Sequence, residues 1–194
     1  MINTLTVLFR MALADAQTLA IRRLMSKSNY DSNVTPGPPL PASLRPPSLL
    51  AKLHIECASL YSSARMLAMT LGSNKSTSKE SANKEVSSDL RRYLVDQATF
   101  HSAMAHKWLG VDAGEKGGTE KAGEAVAFLQ WARKELEELK DGGRLVSIGA
   151  AEKDKTDKRK DKINNELASV NVFYKYYQKM NDTVCVSSSP QFLD

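Results

Sequence analysis

Two cysteines, Cys57 and Cys185, are all that 194 residues contain. They lie far apart without a CxxC spacing, so neither a disulfide framework nor a thiolate zinc site is supported, and a reducing compartment is the default. Histidine is nearly as scarce: His54, His101 and His106 complete the set. His54 and Cys57 stand three apart with no second ligand pair, and His101 and His106 are five apart, off a common helix face. Buried or half-buried packing is expected of His54 and Cys57, and packing or solvent exposure of His101 and His106, with no metal site and no acid–base pair. Also missing are a Gly-rich phosphate loop after a strand and a convergent nucleophile, base and orienter. No catalytic residues and no cofactor are therefore expected. Long apolar runs are absent too. In MINTLTVLFRMALADAQTLAIRRLM, Arg10 interrupts the run from Leu5 to Leu13, and Asp15 follows without a small-residue cleavage site. That pattern makes a poor signal peptide, and a core helix is expected rather than a membrane span.

What is present is helical periodicity. The composition, 42% hydrophobic and 25% charged, is that of one soluble globular domain with a sizeable core. The 27 basic residues exceed the 22 acidic ones by five, too few for a dedicated nucleic-acid binder. Every patterned segment has a spacing near 3.6 and none alternates, so the fold class is all-α, with five or so helices in antiparallel succession.

The most legible stretch is Phe100 to Leu139, which reads as a helical hairpin. Phe100, Ala103, Met104, Trp108 and Val111 keep 3-and-4 spacing, and it returns at Ala125, Phe128, Leu129, Ala132, Leu136 and Leu139. Between them Gly114, Gly117 and Gly118 end the first arm, and Thr119 or Glu120 offers a cap for the second. Leu109-Gly110 opposite Ala125, Leu129 and Ala132 places small residues where two helices cross closely, as in tetratricopeptide-like hairpins.

Upstream, Leu5, Leu8 or Phe9, Ala12, Ala16, Leu19, Ala20 and Leu24 predict a first helix from Ile2 to Met25. Six of the seven prolines then crowd into 36–47, where neither helix nor central strand survives. A surface insertion without a partner is the default for 28–47. The alternative is that PPLPASLRPP is a polyproline-type ligand for an SH3-like domain. Ser48 is expected to cap a second helix through Leu49, Leu50, Leu53, Cys57, Leu60, Ala64 and Leu67, stopping near Gly72. Leu49 and Leu50 are consecutive and cannot both face one core stripe, which leaves one for a partner or for a neighbouring helix. The polar stretch 73–88 reads as a loop or the frayed start of the next helix, which resumes at Asp89 and can run unbroken into the hairpin. After Asp141-Gly142-Gly143, an irregular cover is expected over Arg144 to Ala151. The run from Glu152 to Lys162 reads as a solvated helix face or loop, and Ile163, Leu167, Val170, Phe173 or Tyr174 and Tyr177 define the last helix. From Asn181 onward an irregular tail is expected. Lys153 to Lys162 with the nearby tyrosines also allow an alternative function, binding of nucleic acid or an anionic membrane, although interleaved acids weaken it.

Four segments in order, LADAQTLAIRRLM (13–25), LLAKLHIECASLYSSA (49–64), AHKWLG…KAGEAVAFLQWARKELEELKD and DKINNELASV…MNDTV, resemble the Bro domain, the boomerang-shaped helical domain of the Alix adaptors. The likeness is strongest to its fungal ambient-pH-signalling members and corresponds to about the C-terminal half of the domain. On that likeness 1–186 would be a partial Bro domain, with 28–47 inserted and 187–194 an irregular tail. Two departures stand out: the proline-rich insertion itself, and Cys185 with serines after Met180–Val184, where an aromatic or His and a Pro are usual. The resemblance implies an adaptor and not an enzyme. It would bind the amphipathic C-terminal helix of an ESCRT filament subunit, in the cytoplasm, recruited to endosomes or the cell cortex. Membrane association would come only through partners, and nucleic acid would not be bound. Carried over residue by residue, the groove would be lined by Leu19, Ala20 and Ile21 facing Leu49, Leu50 and Leu53. Ala20 stands where a large ring is common, which would make the groove shallower.

Overall fold

The computed structural model describes residues 2–31, 37–38, 40, 44–73, 87–142 and 150–187. Its five α-helices are α1 (Ile2–Asp31), α2 (Pro47–Ser73), α3 (Ser88–Gly117), α4 (Ala122–Asp141) and α5 (Ala150–Ser187). No strand occurs among the described residues. The architecture is all-α, as the periodicity predicts.

Side-chain contacts fix the order of packing. Asp15 meets Tyr61 while Gln17 meets Leu53, so α1 and α2 run antiparallel. Ser48 meets Asp112 at one end of the next pair and Tyr61 meets Tyr93 at the other, so α2 and α3 do the same. Gly110 against Ala125 and Ser102 against Glu135 orient α3 and α4 likewise. Arg159 reaches Leu139 and Asn181 lies beside Gly123, which sets α5 antiparallel to α4. A succession of short-range pairs follows, each helix covering the apolar stripe of the one before it.

Two apolar clusters result. The larger is built from Leu50 and Ala51 of α2 with Phe100, Met104, Trp108, Val111, Leu129, Leu136, Val170, Phe173 and Tyr177. The smaller joins Val7, Ala14 and Ile21 of α1 to Cys57, Tyr61, Ala64 and Ala68 of α2 and Leu94 of α3. In the hairpin the small residues act as expected. A Cβ on Gly110 would sit 2.9 Å from both the Ala125 carbonyl oxygen and Leu129 Cγ, so only glycine allows that crossing. Gly114 lies within α3, and its missing side chain is the seat of the Tyr177 ring. Gly118, with φ of 52°, makes the turn.

Several boundaries differ from expectation, each for a local reason. The α4 N-cap is Lys121, which makes no side-chain cap, rather than Thr119 or Glu120; the Ala122 amide reaches the Thr119 carbonyl instead. Ser48 does not cap α2: its own N–H donates to Asp112 Oδ1 of α3 at 3.1 Å, while Pro47 opens the helix, where a missing N–H costs nothing. Of the two readings of 152–162, the helix face holds; α5 starts at Ala150, and it runs through Asn181 to Ser187 instead of ending there. The core stripe of α1 is Val7, Ala14 and Ile21, seven apart, whereas Leu5, Leu8, Phe9, Leu13 and Leu19 are exposed. Because that outer face is so apolar, Thr4–Ser26 is by length and composition able to cross a membrane, and 17% of its most apolar 18 residues are buried here. That corrects the expectation that no span of this kind is present. Most of the stretches 73–88, 144–151 and 187–194, for which a loop or frayed helix start, an irregular cover and an irregular tail are expected, lies outside the described residues.

Candidate partner groove

The inner face of α1 carries polar groups into its contact with α2 and α3. Asp15 Oδ1 accepts from the Tyr61 hydroxyl at 2.5 Å and from the Tyr93 hydroxyl at 2.9 Å. Burial, and donation to that carboxylate, push both phenols above their usual range. One turn on, the Thr18 hydroxyl donates to the Ala14 carbonyl at 2.9 Å, so its oxygen is left to accept from His101 Nε2 at 3.1 Å. His101 Nδ1 is then the bare nitrogen, and it accepts from His54 Nδ1–H at 2.8 Å. The chain ends at His54 Nε2, which is buried without a partner. A proton there would be an unpaired buried cation. Burial first, then the neighbouring His101, Lys107 and Lys162 charges, holds His54 at about 3, and burial holds His101 at about 4. Both are neutral at physiological pH.

This network was not legible from spacing. His54 and Cys57 are buried packing residues as expected, but the partner of His54 is 47 positions away on another helix. Asp15 read only as the acid that follows an apolar run. The signal available was a lone acid inside an otherwise apolar helix, which needs a buried donor. No group of three His, Cys, Asp or Glu able to hold a metal occurs among the described residues.

The six expected groove residues separate into two sets. Ile21, 2% exposed, lies in the smaller cluster and Leu50, fully buried, in the larger; neither lines an open surface, which corrects that part of the expectation. Leu19 is 63% and Leu49 41% exposed, and Ala20 is exposed beside Leu19. Leu53 is half-buried against the smaller cluster, and Met25 packs against both clusters. Of the consecutive leucines, then, Leu50 is the core one and Leu49 the outward one.

A second surface lies on the hairpin. His106 stacks on Trp131 with ring centroids 4.1 Å apart and bonds Glu135 Oε2 through Nδ1 at 2.8 Å, while Ser102 donates to the other carboxylate oxygen. Trp131 also borders a shallow depression with Arg133, Lys134 and Tyr174, where Arg133 is paired with Glu137. The basic run of α5 is partly engaged internally: Arg159 pairs with Asp96 at 2.9 Å, and Lys162 Nζ lies 3.8 Å over the Phe100 ring.

Antiparallel helices stacked in sequence, each burying one stripe against the next, define a helical scaffold in which side-chain surfaces are the working parts. The chain belongs to the BRO1-like domain family, whose profile matches residues 1–192. It is 37% identical over 216 residues to the pH-response regulator protein palC of Cryptococcus neoformans var. neoformans serotype D, covering 97% of this chain. The alignment covers 44% of that relative, so the chain spans less than half its length. No solved structure matches.

Proposed function

We propose that this chain is a non-enzymatic adaptor in fungal ambient-pH signalling, and that it holds the amphipathic C-terminal helix of an ESCRT filament subunit along the α1–α2 seam. The observation that carries the reading is outward apolar Leu19 on α1 and Leu49 on α2, together with half-buried Leu53, whose carbonyl accepts from Gln17 of α1. Apolar side chains left in water on adjacent helices suit a helix laid into a groove. Membership of the BRO1-like family and likeness to a pH-response regulator support the same reading. Such an adaptor works in the cytoplasm and reaches endosomes or the cortex through its partners. On this reading 1–186 forms one partial Bro domain. Its groove centres on Leu19, Ala20, Leu49 and Leu53, with Ile21 and Leu50 supporting from beneath.

The test is fluorescence anisotropy with a labelled peptide of that filament-subunit helix. Leu53→Asp is expected to weaken binding at least ten-fold with an unchanged circular dichroism spectrum, and affinity should barely respond to salt. Wild-type affinity in a folded Leu53→Asp variant would refute the groove. A steep salt dependence would instead favour phosphate or anionic-lipid binding by 153–162, which the internal pairing of Arg159 and the placement of Lys162 disfavour.

A further inference from the structure

The stack ends differently on its two sides. At one end α5 turns Lys160, Asn164, Lys175 and Lys179 to solvent, a largely polar outer face of the kind that closes a helical array. At the other, no exposed residue of α1 from Thr4 to Ala20 is charged. Arg10 and Asp15 are half-buried, and Asp15 is held by its two phenols. The exposed side chains are sorted by size. Leu5, Phe9 and Leu13 form one ridge at four-residue spacing and Ala12, Ala16 and Ala20 the next, both opposite buried Val7, Ala14 and Ile21. The large ridge lies toward the start of the helix and the small one toward its end, over about 22 Å of apolar surface.

That order makes the face complementary to itself. Lay a second α1 antiparallel, with the two-fold axis between Ala12 and Leu13, and Phe9 of each copy meets Ala16 of the other while Leu5 meets Ala20. Parallel pairing would set Phe9 on Phe9 and bring Arg22 and Arg23 of the two copies together. The antiparallel arrangement holds those arginines about 28 Å apart, well beyond screening range.

We propose that this face is a self-association surface, on which a second copy of the chain packs its own α1 antiparallel. Self-matching singles out a second copy, since a foreign partner requires no large-to-small order along one helix. A lipid surface fits less well. Helices that lie in a membrane interface carry basic residues along the opposite face, whereas here that face holds the Asp15–Tyr61 and Thr18–His101 contacts. Six such side chains per copy fall well short of the roughly 20 to 30 residues a side of a standard interface, so weak association, on the order of 100 μM, is expected. The inference does not depend on the groove reading, although Ala20 is common to both surfaces.

The experiment is sedimentation equilibrium of the full chain and of two variants, Phe9→Lys and Ala16→Glu, each with its circular dichroism spectrum checked. Wild type is expected to dimerise, and each variant to keep its helicity but associate at least ten-fold more weakly. An equimolar mixture of the two variants should associate more tightly than either alone, because the introduced charges then oppose one another across the two-fold axis. Wild type that stays monomeric up to about 1 mM would overturn the proposal, and so would a mixture no tighter than its components. Monomeric wild type that co-sediments with vesicles of phosphatidylcholine and phosphatidylserine would give the face to a membrane instead. Unfolding of both variants would show that the face is covered within the chain, which also overturns the proposal.

Discussion

The α1–α2 pair and the α3–α4 hairpin are built from helices of the same period, but their faces are assigned oppositely. The hairpin buries Leu129, Ala132 and Leu136 and turns Gln130, Arg133, Lys134 and Glu137 outward. In α1 the inner face carries Asp15 and Thr18 among Val7, Ala14 and Ile21, while Leu5, Phe9 and Leu19 point out. Self-sufficient packing marks the first arrangement; an inner polar network with an outer apolar face marks an element with work to do on both sides. The paired phenols fix one register, since sliding α1 by a residue would strand Asp15 without Tyr61 and Tyr93.

Acid acts most strongly where the two regions meet, since His54 belongs to α2 and His101 to α3. Stability from the neutral His54–His101 pair is fully present above pH 6.5, the ordinary histidine value. It is lost as pH falls toward their folded values of about 4 and about 3, because the unfolded chain takes up protons that the folded one refuses. The slope is about 1.4 kcal/mol per pH unit for each excluded proton. Urea unfolding at pH 7, 6 and 5 measures it. A flat profile over that window would mean the pair is not dry.

Next in size is a cavity in the hairpin. Leu129 is fully buried beneath Gly110, so Leu129→Ala should cost about 3 kcal/mol in thermal or urea unfolding. Gly110→Ala should cost about 2 kcal/mol, because its Cβ meets the Ala125 carbonyl as well as a side chain, and backbone yields poorly. A neutral Gly110→Ala would show that the crossing is looser than 2.9 Å implies.

A smaller effect tests the α1 network. Tyr61→Phe keeps the ring stacked on His101 but removes one donor from Asp15, which retains Tyr93. A loss of about 1.5 kcal/mol is expected for a hydrogen bond to a charged acceptor. If Tyr61→Phe and Tyr93→Phe are strictly additive in a double-mutant cycle, the two phenols do not share one carboxylate.

Legibility in the sequence followed the same division. The hairpin was readable because local spacing and small-residue placement both depend on neighbours a few positions away. The Ile163–Tyr177 stripe of α5 was readable for the same reason, with Phe173 and Tyr177 buried and Tyr174 at the margin. The α1 core face was not. Its exposed leucines and Phe9 outnumber the buried Val7, Ala14 and Ile21, so a pattern read from the large apolar residues chose the wrong side. Leu50 and Ile21 were expected on an open surface for a related reason: resemblance says which residues sit near a groove, whereas burial depends on the packing of neighbouring helices, here the larger cluster for Leu50 and the smaller for Ile21.

The smallest expected effect on stability bears most directly on what the outer face of α1 is for. Leu5 and Phe9 are 65% and 69% exposed, so most of the transfer free energy of a buried side chain is unrealised in the single chain. Leu5→Ser with Phe9→Ser should therefore shift the unfolding free energy of dilute protein by no more than about 0.5 kcal/mol. The same change removes the largest side chains from a continuous apolar stripe, so concentration-dependent sedimentation of the wild type should weaken in the variant. A loss above roughly 1.5 kcal/mol in dilute solution would mean that this face is covered within the folded chain, and the contrast with the hairpin would then disappear.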